Sequence, residues 1–182
     1  MLRQNSVEVL APAGTYEAVE AAVRCGADAV YLGGKMLNAR RNAGNFSFEE
    51  LKAAVEYCHA RGTKVYLTLN TLATDAEMKN DVQCAVRDAC QAGIDALIIQ
   101  DTGVLRIAKM CAPTMPLHAS TQMSVHTLSG VKQLAGMGFT RAVLARELSL
   151  DEIEHIVKNY AKAVKKLAAL VAEIYHIIGN FF

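Results

Sequence analysis

Short apolar runs alternate with longer amphipathic stretches along the chain. The runs are Val7–Ala11, Ala29–Gly33, Val65–Asn70, Ala96–Gln100, Leu117–Thr121 and Ala142–Arg146. Each is nearly continuous in apolarity and rich in leucine or β-branched residues. That pattern predicts parallel strands covered on both faces. Between them, apolar residues recur at helical spacing over Tyr16–Cys25, Phe48–Arg61, Ala76–Ala92, Gly103–Cys111, Val125–Met137 and Leu150–Asn159.

The helix starts are marked chemically. SFEE (Ser47, Glu50), TDAE (Thr74, Glu77) and SLDE (Ser149, Glu152) read as capping boxes, in which hydroxyl and carboxylate satisfy each other's backbone N–H groups. Leu148 and Ile153 add a hydrophobic staple to the last, and Ser124 is placed to cap the helix after HASTQM. Gly26, Gly62, Gly93 and Gly138 stand where a left-handed residue ends a helix. CGADAVYLGG, AGIDALIIQD and MGFTRAVLAR repeat one plan: glycine stop, short turn, apolar strand, polar exit. The unit is βα. About six in series predict an α/β fold, an incomplete TIM-type (β/α) barrel plus a C-terminal helix, with an open doubly wound sheet as the structural rival. Residues 1–157 are expected to form the barrel-like domain and 158–182 a helical tail.

In that tail Tyr160, Val164, Leu167, Leu170 or Val171, and Ile174 or Tyr175 are spaced for one helix face, with Lys162, Lys165 and Lys166 mainly on the other side. The expected roles are covering apolar surface or joining a second chain into a homo-oligomer. No window reaches the length of a membrane span. MLRQNSVEVLAPAG contains no long apolar run followed by a cleavage site, so no signal peptide is expected and the cytoplasm is the expected compartment.

Composition narrows this further. The chain has 182 residues, 52% hydrophobic and 20% charged, a globular balance. Net charge is +1, so no global field calls for nucleic acid or membrane. Cys25, Cys58, Cys84, Cys90 and Cys111 form no CxxC pair and are expected to be reduced packing residues. His59, His155 and His176 lack a partner at metal spacing, so no metal site is expected.

Ligands of parallel α/β folds sit at the carboxyl ends of the strands, where helix N-termini present free N–H groups. The exits are therefore the candidates, and the expectation is that they converge on one rim. The longest, GGKMLNARRNAGNF, offers Asn38, Arg40, Arg41, Asn42 and Asn45; arginine forks suit carboxylate or phosphate. Asn70, Gln100, Asp101, Ser120, Gln122 and Arg146 complete the ligand-binding set. Asp101 either meets a ligand or caps the next helix. His118 and Ser120 point to the same side of a strand; a nucleophile pair, a hydrogen-bonding histidine and a structural histidine all remain open. Glu147 orients Arg146, acts as a base, or forms a salt bridge. His118 and Glu147 are the catalytic candidates.

VEVLAPAGTYEAVEAAVRCGADAVYLGG, Asn38-Ala39-Arg40 with Asn45-Phe46, KVYLTLNT, ALIIQDTG, LHASTQMSVHT and AVLARELSLDEI together resemble the U-thirty-two peptidase family, the collagenase-like proteases. The likeness covers roughly residues 7–157. It implies a TIM-type barrel and, by the family's name, proteolysis. Other members hydroxylate tRNA or ribosomal RNA bases or a quinone precursor, and some use prephenate and an iron–sulfur cluster. The implied partners are a small carboxylate ligand, or a peptide or RNA substrate. After ELSLDEI the family continues into further strands and a cysteine-bearing signature; here Lys158–Phe182 follows, and no cysteine comes after Cys111. No cluster ligand is carried over, so no cofactor is expected in this chain. The alternative function is a non-catalytic accessory or shortened scaffold subunit acting through oligomerisation.

Overall fold

The computed structural model describes residues 7–35, 37 and 45–163. Six parallel strands follow one another in the sheet in chain order, β1 to β6, and helices connect them. This is the α/β fold expected, with six βα units laid down in the strand order of a TIM-type barrel. The chain divides into two compact units, Met1–Leu117 and His118–Phe182.

The first unit holds β1 (Leu10–Pro12), α1 (Tyr16–Arg24), β2 (Ala29–Gly33), α2 (Phe48–His59), β3 (Lys64–Leu69), α3 (Asp75–Lys79), α4 (Asp81–Ala92), β4 (Ala96–Ile99) and α5 (Thr102–Cys111). Strand alternation splits its sheet into two faces. Val30, Leu32, Val65, Leu67, Leu69, Leu97 and Ile99 lie on one face and are all buried. Helices α1, α2 and α5 pack against these strands, with α4 between α2 and α5. Each such buried leucine or isoleucine contributes roughly 1.5–3 kcal/mol. On the other face Ala29, Tyr66, Ala96 and Ile98 form a smaller cluster, with Leu10 and Tyr31 against it.

The repeat in the sequence has a structural cause. In all three copies the glycine is left-handed: φ is 86° at Gly26, 83° at Gly93 and 95° at Gly138. The next residue sends its N–H back to the helix, Ala27 to Ala22, Ile94 to Ala89 and Phe139 to Leu134. That is the Schellman stop, and its apolar residue is buried each time. Two copies add an aspartate. Asp28 Oδ2 accepts the Val9 N–H at 2.8 Å, and Asp95 Oδ2 accepts the Val65 N–H at 2.7 Å. Each carboxylate thus ties the start of its strand to the strand before it. Asp95 Oδ2 also accepts from His59 Nε2 at 2.8 Å. Gly62, the fourth expected stop, is left-handed as well.

All three capping boxes form: Ser47 with Glu50, Thr74 with Glu77, and Ser149 with Glu152. Two boundaries and one burial differ from expectation. The helix expected over Ala76–Ala92 breaks at Asn80, whose φ and ψ of −125° and −52° leave the helical region. The break lets α3 set Met78 against Gly103, where a Cβ would stand 2.7 Å from Met78 Cε. β6 comprises only Arg141–Ala142, so Arg146 lies beyond the strand in a turn. Of the five free cysteines only Cys58 is buried, so the packing role expected for all belongs to it alone.

The second unit begins within β5 (Leu117–Ala119), which pairs with β6. A 3-10 turn (Thr121–Met123), α6 (Leu128–Gly136) and α7 (Leu150–Ala163) follow from these strands. Val131, Leu144, Ile156 and Tyr160 form a buried cluster in it, and Leu148 and Ile153 both pack against that cluster. The expected tail helix is continuous with α7 through Tyr160; Val164 onward lies outside the described residues, as does His176.

Gly93→Ala is expected to cost about 1–2 kcal/mol, because the added Cβ must sit at positive φ. It would also stand 3.5 Å from Val55 Cγ1. Urea unfolding measures the cost. Burial, reinforced by the Asp95 carboxylate, pushes the Cys58 thiol from 9.0 up to about 11. Its contribution to stability is complete below pH 9 and is lost as pH rises toward 11. Native-state iodoacetamide labelling at pH 8, read by mass spectrometry, should modify the four exposed cysteines and spare Cys58.

Candidate functional site at the strand exits

In the first unit, register decides which exit residues stand together. Tyr31 pairs with Tyr66 and Gly33 with Thr68 across β2 and β3, and Thr68 pairs with Ile98 across β3 and β4. Two residues further on come Asn70 and Gln100. By alternation both continue the face opposite the helices, at the same level on neighbouring strands. Both are half-buried. Thr68, which sequence reasoning passed over, lies one step below them, and its hydroxyl donates to the Leu32 carbonyl at 3.1 Å. Deeper on the same face the Tyr66 hydroxyl lies 3.0 and 3.1 Å from the two Glu8 carboxylate oxygens and donates to them. The signal that could have found Thr68 and Tyr66 is strand parity counted back from Asn70; Tyr31 joins them only through the pairing of β2 with β3.

The long exit after β2 is pinned at both ends. Gly34 and Phe46 form a parallel bridge, and the Phe46 N–H donates to the Gly33 carbonyl at 3.0 Å. Phe46 and Leu37 are buried, so both ends of the segment are anchored in apolar surroundings. Asn45 sits half-buried beside Phe46. Asn38, Arg40, Arg41 and Asn42 lie outside the described residues. Asp101 takes the capping role: its Oδ1 accepts from the Gly103 and Val104 N–H groups at 2.6 and 3.2 Å. The N-terminus of α5 is therefore served by its own chain. At the β3 exit the Thr71 hydroxyl is buried without a hydrogen-bond partner.

In the second unit His118 and Ser120 are both buried. Ser120 heads the 3-10 turn and accepts the Gln122 N–H at 3.3 Å. Gln122 is exposed, as are Arg146 and Glu147 in the turn after β6. Ser124 is not the cap of α6. It closes the 3-10 turn at φ 53°, and Thr127 caps α6 by accepting the Gly130 N–H at 3.0 Å. α6 begins three residues later than expected because the chain first makes that turn, so Val125, His126 and Thr127 precede the helix.

Among the described residues no group of three or more histidine, cysteine or acidic side chains could hold a metal ion. One cysteine is buried and four are exposed. No described helix is long and apolar enough to cross a membrane.

The fold and its polar strand exits define a TIM-type α/β protein. Peptidase family U32 matches residues 14–171, and the chain belongs to that family. It is 43% identical over 152 residues to the 23S rRNA 5-hydroxycytidine C2501 synthase of Escherichia coli, covering 84% of this chain and 22% of that protein. It is 37% identical over 149 residues to tRNA hydroxylation protein P of E. coli, covering 82% and 33%. With the collagenase of Porphyromonas gingivalis it shares 36% over 154 residues, covering 84% and 36%. Relatives are thus named for both RNA hydroxylation and proteolysis, and the chain spans 22% to 36% of the length of these three. The solved U32 peptidase Mk0906 has the same fold, with a TM-score of 0.64, 13% identity and coverage of 87% of this chain and 68% of that one.

Hydrogen bonds from the Ser149 backbone and hydroxyl, with His126 nearby, hold the Glu152 carboxyl below its ordinary 4.5. A carboxylate lowered in the folded state adds stability above its unfolded value and loses it as pH falls through the folded value. Glu152→Gln should therefore lower the urea midpoint at pH 7, and the gap to the parent protein should close as pH falls through the acidic range.

Proposed function

We propose that this chain serves the hydroxylation of an RNA base and that its strand exits hold a small carboxylate-bearing or nucleotide-like ligand. One observation carries the reading. Asn70 and Gln100 stand at one level of adjacent strands, half-buried, on the face the helices leave uncovered. A carboxamide both donates and accepts, which suits a base edge or a carboxylate. Relatives named for rRNA and tRNA hydroxylation support the choice of substrate class. Arg40, on the long exit between β2 and Phe46, supplies the charge.

Titration calorimetry with prephenate and with cytidine and uridine monophosphates tests the ligand. Arg40→Ala should weaken binding by roughly 1.5–3 kcal/mol, the worth of a charged hydrogen bond, and Asn70→Ala by about 1 kcal/mol. Unchanged affinity in both variants would remove the site. Nucleoside mass spectrometry of RNA from cells expressing the chain tests the outcome. The expected change is a pyrimidine gaining one oxygen, lost in the Asn70→Ala strain.

A second reading, peptidase, draws on the relative named collagenase. It requires gelatin hydrolysis by purified protein that disappears in His118→Ala.

A further inference from the structure

The bend that follows β3 has its polar and apolar groups the wrong way round for water. Thr71 hides its hydroxyl from solvent, and that hydroxyl has no hydrogen-bond partner among the described residues. The next residue, Leu72, leaves 72% of its surface in solvent. A buried hydroxyl without a partner gives up its hydration for nothing. A leucine in water forfeits the gain of burial. An exposed leucine alone is ordinary. The two faults side by side are not, because one movement, turning the bend over, would relieve both.

The segment is short and held at both ends. Leu69, the last residue of β3, is 1% exposed. Thr74 caps α3: its N–H and its hydroxyl both donate to Glu77 Oε2 at 2.7 Å, and its hydroxyl oxygen accepts the Glu77 N–H at 3.4 Å. Neither anchor uses Thr71 or Leu72. Only Asn70 to Ala73 lie between them, so a rearrangement there leaves β3 and α3 in place. Asn70, the first of the four, is one of the two half-buried carboxamides at the strand exits. The inverted pair therefore stands at the edge of the proposed ligand site.

We propose that Asn70–Ala73 is a strap that closes on a bound base, with Leu72 packing against the face of the ring while the Thr71 hydroxyl turns out to water. This rests on the strand-exit reading and deepens it: the occupant presents a flat, weakly polar face, as a pyrimidine does. In the free protein the leucine gains little by turning inward, since Asn70 and Gln100 offer it carboxamides. A ligand shifts such an equilibrium only by what it adds to the closed form, here the contact with Leu72. The cost of the open form is thereby repaid on binding.

Titration calorimetry with cytidine monophosphate on the full chain tests the strap, with urea unfolding of each free variant beside it. Leu72→Ala should leave the urea midpoint unchanged, because the side chain is mostly in water, yet weaken binding about tenfold. Leu72→Met, which keeps an apolar side chain of similar volume, should restore most of the affinity. Thr71→Val should raise the midpoint by removing the unpartnered hydroxyl, and should weaken binding, because closure would then turn a methyl group out to water. A purely structural hydroxyl would give the first effect without the second. Parent affinity in Leu72→Ala, with Asn70→Ala still weakened, overturns the strap and leaves the strand-exit site standing. So does a midpoint that falls in Thr71→Val. No binding of the nucleotide by the parent protein removes the strap and the nucleotide reading together.

Discussion

A parallel strand that carries a helix on one side can use only every second residue for anything else. This parity governs the first unit. Val30, Leu32, Val65, Leu67, Leu97 and Ile99 are committed to the helices. Whatever chemistry the sheet performs must come from the alternate set, Tyr31, Gly33, Tyr66, Thr68 and Ile98, and from the next members of that set, Asn70 and Gln100. Burial of one face is thus what aims the other. It also explains why a polar residue at an even step of β3 or β4 has consequences that the same residue one step away would not.

Much of this was legible from local chemistry. The three capping boxes and the glycine stops involve residues within five positions of one another, and all formed as written. The repeated GADAV and GIDAL stretches announced a βα unit, although the reason for their shared aspartate appeared only with the strand pairing, since Asp28 reaches Val9 and Asp95 reaches Val65. What escaped was set by distant contacts. Asn80 interrupts a periodic helix, and the break seats Met78 against Gly103, far along the chain. Ser124 looked like a cap but ends a turn that Ser120 begins. β6 shrank to two residues because pairing with β5 stops there, a limit that apolarity alone does not reveal. The candidate site was half visible: exit residues could be named, while their grouping required register.

The first unit sets two uncharged, half-buried carboxamides, Asn70 and Gln100, at neighbouring strand ends. In the second, His118 and Ser120 are buried while Gln122, Arg146 and Glu147 are exposed. Relatives carry names from both RNA modification and proteolysis. A shared scaffold constrains geometry more than it constrains reaction.

The clasp between Gly34 and Phe46 has an evolutionary corollary. When a loop leaves and rejoins a sheet at one point, the residues between those points can be exchanged or lengthened at a small entropic cost, and strand spacing need not change. A lineage can therefore rewrite this segment to suit a new substrate while the βα framework beneath it stays as it is. Changes of length among relatives would be expected to gather there, around rather than within the Asn38-Ala39-Arg40 motif, bounded by Gly34 on one side and Phe46 on the other.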